Sequence, residues 1–124
     1  ALGNKTNKFF LLDCEMPFII NNYKKLGKYL SIRYSKKEPI ENVIEFMDWI
    51  RWIWIDTYDL VDFKKLEKLN LSNNKLALVS PERWNKDIDL VEFIKKIKIE
   101  KIKLDFIMTD GANLLDWKKY YFDA

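Results

Sequence analysis

The sequence predicts an α/β fold, a (βα)4β parallel-sheet unit, and its spacing and punctuation carry that expectation. Five short apolar runs each end in a polar or charged cluster: FFLLD (Phe9 to Asp13), YLSIR (Tyr29 to Arg33), WIWID (Trp52 to Asp56), LALVS (Leu76 to Ser80) and FIMTD (Phe106 to Asp110). Between successive runs lie stretches long enough for a helix, and strands alternating with helical patterns build βαβ units around a parallel sheet. With 3 Gly, 3 Pro and no linker or low-complexity tract, residues 1–124 read as a single α/β domain.

Taken in order, the first run follows a polar lead, Gly3 to Lys8. The segment from Pro17 to Lys28 then carries Phe18, Ile19, Tyr23 and Leu26 before Gly27 supplies a stop. After the second run, Pro39 sits where a first-turn proline is tolerated, and Ile40, Val43, Ile44 and Met47 share one helical face. Asp59 or Asp62 caps the next helix, with Phe63, Leu66 and Leu69 inward, and Asn73-Asn74 turn the chain into the fourth run. Asp87 or Asp89 opens a helix with Leu90, Val91, Ile94 and Ile97 inward and Lys95, Lys96 and Lys98 in water. A short helix from Leu114 to Tyr120 closes the chain. The runs Ile53 to Ile55 and Leu76 to Val79 are apolar at consecutive positions, which marks central strands covered on both faces.

Composition narrows the functional classes. At 48% hydrophobic and 15% aromatic content the chain can bury a core. Its 22 basic and 19 acidic residues are interleaved, which describes a solvated surface and not a nucleic-acid footprint. The lysine-dense stretch Lys95 to Lys103 reads as the wet side of a helix end. No run approaches the roughly 18 apolar residues that span a bilayer, and residues 1–8 lack a signal-peptide core, so the expected location is cytoplasmic. The single cysteine, Cys14, excludes an intramolecular disulfide and reads as a small buried thiol. Histidine is absent, so catalysis by this chain alone would fall to carboxylates, Lys, Tyr, Ser or a hard metal.

The polar residues gather at the run ends: Asp13 with Glu15, Arg33 with Ser35, Asp56 with Tyr58, Ser80 with Glu82 and Arg83, and Thr109 with Asp110. In α/β folds ligands bind beyond the carboxyl ends of the strands, where the loops converge. Several carboxylates facing one arginine suit a hard divalent ion, Mg²⁺ or Ca²⁺, and an anionic group such as phosphate. The same residues also serve as helix caps, each contributing roughly 0.5–2 kcal/mol with no catalytic role. Among the tryptophans, Trp84 is the stacking candidate because it follows a strand end in a loop.

Three families share parts of this pattern. Asp13 and Glu15 with Asp56 and Ser80 resemble the acidic cluster and phosphoacceptor of the bacterial receiver domain, which implies a doubly wound five-strand sheet and a phosphoaccepting signalling module. Met108-Thr109-Asp110 stands where that pattern has a Lys-Pro pair. Leu12-Asp13-Cys14-Glu15-Met16 resembles the opening motif of proofreading-type 3′–5′ exonucleases, whose later motifs have no counterpart here. The broadest resemblance is to the C-terminal part of the glycerophosphodiester phosphodiesterase and phosphatidylinositol phospholipase C superfamily. Leu12-Asp13, Arg33 to Pro39, Trp54 to Asp56, Leu78 to Glu82 and Asp105 to Asp110 follow its blocks in order over roughly residues 8 to 116. One position departs from it, since Lys36-Lys37 precede Glu38 where the family turn carries a further acidic residue.

That resemblance implies a TIM-type barrel acting on phosphodiesters with two histidines near its first strands and, in one branch, a divalent cation. A (β/α)8 barrel takes about 250 residues, so this chain would be a partial barrel, the C-terminal part of a larger one. It would contribute phosphate and substrate recognition from Arg33, Asp56, Ser80, Glu82 and Asp110, with Asp13 and Glu15 as metal ligands, and would be inactive alone. An incomplete barrel exposes sheet edges, which implies self-association or cover by the missing N-terminal barrel half. A non-catalytic binding or assembly domain is the remaining alternative.

Overall fold

The computed structural model describes residues 10–58, 62–70 and 73–124. Helix α1 (Met16–Leu26) is followed by β1 (Ser31–Tyr34), α2 (Ile40–Phe46), β2 (Trp52–Ile55), α3 (Phe63–Asn70), β3 (Lys75–Val79), α4 (Leu90–Ile99), β4 (Phe106–Met108) and α5 (Leu114–Trp117). The four strands are parallel and lie in the order β1-β2-β3-β4. Each strand therefore pairs with its predecessor along the chain, and the order contains no reversal. The doubly wound alternative is corrected on this point, because such a sheet changes direction and carries helices on both faces.

Here the helices share one face. Ile32 and Tyr34 of β1, Ile53 and Ile55 of β2, and Leu76 and Leu78 of β3 pack with Ile19, Val43, Phe46, Leu66, Leu69, Leu90, Ile94 and Ile97 in one continuous core. The alternate strand positions form a separate cluster of Trp52, Trp54, Ala77 and Val79, against which Phe10 packs. The Phe10 ring stacks on Trp52 at 4.5 Å and meets Phe106 edge-on at 6.0 Å. Four strand spacings would hold residues of those two segments about 19 Å apart in a flat sheet. The sheet curls, and large rings fill the concave side.

The first apolar run is the main departure from the predicted elements. Of its described residues only Leu11 pairs, in a parallel bridge to Leu30. The Leu11 carbonyl accepts from the Ser31 hydroxyl at 2.7 Å and the Cys14 thiol at 3.4 Å, and Asp13 turns into the left-handed region with φ 56°. Side chains thus take the acceptor that a longer ladder would need. Phe9, the start of that run, lies outside the described residues.

The helices follow their sequence signals with local corrections. Asp62 Oδ1 accepts from the Lys64 and Lys65 amides at the start of α3, while Asp59 lies outside the described residues. Asp89, not Asp87, caps α4 by accepting from the Glu92 amide at 3.1 Å. In α2 the inward residues are Ile40, Val43 and Phe46, and Ile44 is exposed, because a helix this short presents a narrow stripe. Gly27 ends α1 in right-handed geometry (φ −53°), so no left-handed cap is present. A Cβ there would lie 1.9 Å from the Trp49 carbonyl oxygen and 2.6 Å from that of Tyr23, so close backbone approach demands the glycine. Strands β2 and β3 are central and fully buried apart from Lys75, as their apolar runs predict. Among the described residues no helix is long and apolar enough to cross a membrane.

Candidate functional site at the carboxyl ends of the strands

Parallel strands carry their run-end residues to one edge of the sheet, where two clusters form. The first surrounds Arg33 at the end of β1. Glu38 holds the Arg33 Nε from both carboxylate oxygens at 2.8 Å and accepts from the Ser35 hydroxyl at 2.9 Å. The turn between Ser35 and Glu38 is closed by backbone pairing, and the Lys37 amide donates to Ser35 Oγ at 3.2 Å. The Arg-x-Ser-x-x-Glu spacing is therefore a folded unit that fixes the guanidinium through Nε. Its Nη1 faces Asp13 at 3.4 Å in an exposed pair, with 70% of the Asp13 side chain in water. The Glu38 hydrogen bond, assisted by the nearby charges of Asp13 and Asp56, holds the Arg33 pKa above its ordinary value.

A cavity of about 490 Å³ opens beside this guanidinium, lined by Asp13, Cys14, Glu15, Arg33, Asn42 and Trp54 among others. Cys14 is half-buried there, and burial pushes its thiol pKa up, which makes it a weak nucleophile. Glu15 precedes α1 and makes no side-chain capping bond. Asp56 follows β2 and accepts the Tyr58 amide at Oδ1 at 2.9 Å, and the buried Thr57 hydroxyl donates to the Val79 carbonyl at 2.7 Å.

The second cluster is built on Glu82, whose residue is only 4% exposed. Its carboxylate accepts from the hydroxyls of Ser80 and Thr109 and from the Asp110 amide at 3.0 Å. The Trp117 indole donates to Ser80 Oγ at 2.8 Å, which locks α5 onto the end of β3. Buried polar groups satisfied this completely act as scaffold. Outside the network, Asp110 accepts from Arg83 Nη1 at 2.8 Å and from Lys86 Nζ. The Lys86 hydrogen bond, followed by the charges of both cations, depresses the Asp110 pKa.

The structure thus brings Arg33 and Asp13 together, places Glu15 on the same cavity, leaves Asp56 acting on Arg33 through its charge alone, and sets Ser80, Glu82 and Asp110 in a separate network. Glu38, Ser35, Thr109 and Trp117 complete these clusters. Glu38 was legible in the Arg-x-Ser-x-x-Glu spacing, whereas no local signal connects Trp117 to Ser80. Among the described residues no group of three or more His, Cys, Asp or Glu side chains could hold a metal ion. Asp13 and Glu15 alone fall short of the 6–8 oxygens that Ca²⁺ takes, so no step is assigned to a cation. No protein-family model, no curated protein and no solved structure matches this chain.

Proposed function

We propose that this chain is the substrate-recognising C-terminal portion of a phosphodiesterase-type barrel, and that Arg33 is its phosphate ligand. The single observation that carries this reading is the sequential, one-sided parallel sheet, with the Arg33 and Glu82 clusters at its carboxyl edge. A closed barrel has that strand order, its helices outside and large side chains within. Trp52, Trp54, Phe10 and Phe106 occupy the corresponding concave side.

Glu38 is a positioning residue in this scheme. It grips Nε and leaves the Nη edge at the cavity, where a phosphate oxygen competes with the exposed carboxylate of Asp13. Asp56, whose charge reaches Arg33, would orient a substrate hydroxyl. The two histidines that the resembled superfamily uses have no counterpart in this chain, so the reading assigns it binding without turnover. The β4 edge and the concave face are covered, in this reading, by the upstream barrel portion or by a second copy of the chain.

The test is a heteronuclear NMR titration of the chain with glycerophosphoglycerol, a small diester without rings or charge beyond its phosphate. The expected result is a shift of the Arg33 Nε–H resonance, loss of binding in Arg33→Met, weakening in Glu38→Gln, and no hydrolysis. Absence of any perturbation at Arg33 overturns the reading. Mg²⁺-dependent uptake of a phosphoryl group from acetyl phosphate, abolished by Asp56→Asn, would replace it with the receiver-like one. Light scattering tests the cover separately, since a monodisperse monomer rules out the second copy.

A further inference from the structure

Two aromatic side chains stand half in water at the same edge of the sheet, and neither belongs to the Arg33 cavity. Tyr58, in the loop after β2, is 48% exposed and Trp84, in the loop after β3, is 51% exposed. Their rings meet edge-to-face with centroids 5.1 Å apart. Lys37, from the turn after β1, places Nζ 5.1 Å from the Tyr58 ring centroid. Arg83 and Lys86 flank Trp84 in sequence and converge on Asp110, after β4. Three loops therefore contribute rings and cations, and the loop after β4 contributes the carboxylate that holds two of the cations.

Hydrogen bonds anchor the backbone beside both rings. The Tyr58 amide is fixed by Asp56 and its neighbour Thr57 is tied to Val79. The Trp84 and Asn85 amides donate to the Pro81 carbonyl, on a turn anchored by the buried Glu82 carboxylate. A ring held half-exposed on an anchored loop keeps apolar area available for a ligand at little ordering cost.

The hydrogen-bonding inventory selects the ligand class. Asp110 accepts from Arg83 and Lys86, Asp56 Oδ1 accepts from the Tyr58 amide, and Asn85 Oδ1 accepts from the Asp87 amide at 3.0 Å. These acceptors are each in use, while Arg83 and Lys86 keep N–H donors beyond their bonds to Asp110, so what the patch offers is π-faces and a surplus of cationic donors. A polyol needs acceptors for its hydroxyls, whereas an aromatic ring bearing a phosphate needs a stacking face and donors. We infer that Trp84 and Tyr58, with Lys37, Arg83 and Lys86, form a binding site for a phosphorylated aromatic ligand, of nucleotide or simple aryl type. The site uses loops present in this chain and does not depend on a barrel.

The experiment titrates the chain with adenosine monophosphate, phenyl phosphate and glycerol 2-phosphate, read by the indole resonance of Trp84. Both aromatic phosphates are expected to shift that resonance and to bind at least about 10-fold more tightly than glycerol 2-phosphate. Trp84→Ala should weaken both by roughly 10-fold, the usual size of a lost stacking platform, and Trp84→Phe should restore most of the affinity. Tighter binding of adenosine monophosphate marks a nucleotide site, and equal binding marks a plain aryl site. Equal affinity for glycerol 2-phosphate, or a folded Trp84→Ala chain with unchanged affinities, overturns the inference. A diester affinity that falls in Arg33→Met and is indifferent to Trp84→Ala leaves the proposed function standing either way.

Discussion

The two faces of the sheet are built by different rules. On the helix side, branched aliphatic residues of β1, β2 and β3 interlock with α1 to α4, and Leu30, Val43, Ile53, Ile55, Leu66, Leu78, Ile94 and Ile97 are sealed from water. On the concave side a few large rings fill space that no helix covers, and Phe106 and Met108 remain partly in solvent. Trp52 Nε1 on that side is buried yet finds no acceptor among the described residues. A hydrophobic core of fitted small pieces is complete in itself, whereas the plug of rings leaves an N–H unmet among the described residues.

Truncation on the helix side should produce the largest loss. Leu78→Ala removes a fully buried side chain from the central strand β3 and is expected to cost about 3 kcal/mol in urea unfolding. Gly27→Ala tests the same side through the backbone, because its Cβ collides with the Trp49 carbonyl, and should cost about 2 kcal/mol. Phe10→Ala, on the concave side, should cost about 1 kcal/mol and change tryptophan fluorescence, since its ring touches Trp52 and Trp54. If Phe10→Ala were as costly as Leu78→Ala, the two faces would be one core and the distinction would fall.

Charge effects are smaller and sit at the carboxyl edge. The depressed pKa of Asp110 means that its pairing stabilises the fold fully above the unfolded carboxyl value of about 3.9 and is lost as pH falls through the lower folded value. Asp110→Asn should therefore flatten the acid limb of an unfolding curve, and an unchanged limb would show the pairs with Arg83 and Lys86 to be without consequence. The smallest effect concerns Cys14, packed against the helix-side core. Its raised pKa predicts alkylation by iodoacetamide that is slower than for a free thiol at pH 8 and speeds up only at higher pH.

Much of this architecture was legible because periodicity reports burial. The consecutive apolar residues of β2 and β3 announced central strands, and aspartates announced two helix starts to within two or three residues, with Asp62 and Asp89 making the bonds. The first run misled because FFLLD has strand composition, while the capture of the Leu11 carbonyl by Ser31 and Cys14 is a tertiary event invisible in a local pattern. Gly27 was recognised as a stop for the wrong physical reason, since the crowding comes from Trp49, far along the chain. At the site, residue type singled out Arg33, Asp56 and Glu82 as candidates, but type alone did not separate a cavity-facing arginine from a carboxylate consumed by its own scaffold. That difference lies in hydrogen-bond partners such as Thr109 and Trp117, which arrive from β4 and α5.

The strand order has a consequence for how the molecule is made. Because each strand pairs with the one before it, a chain leaving the ribosome can lay down every βα unit on a template already finished. No strand waits for a distant partner still to be synthesised, and the growing edge is always the newest one. The β4 edge is then the newest template, and a further strand could extend the sheet there.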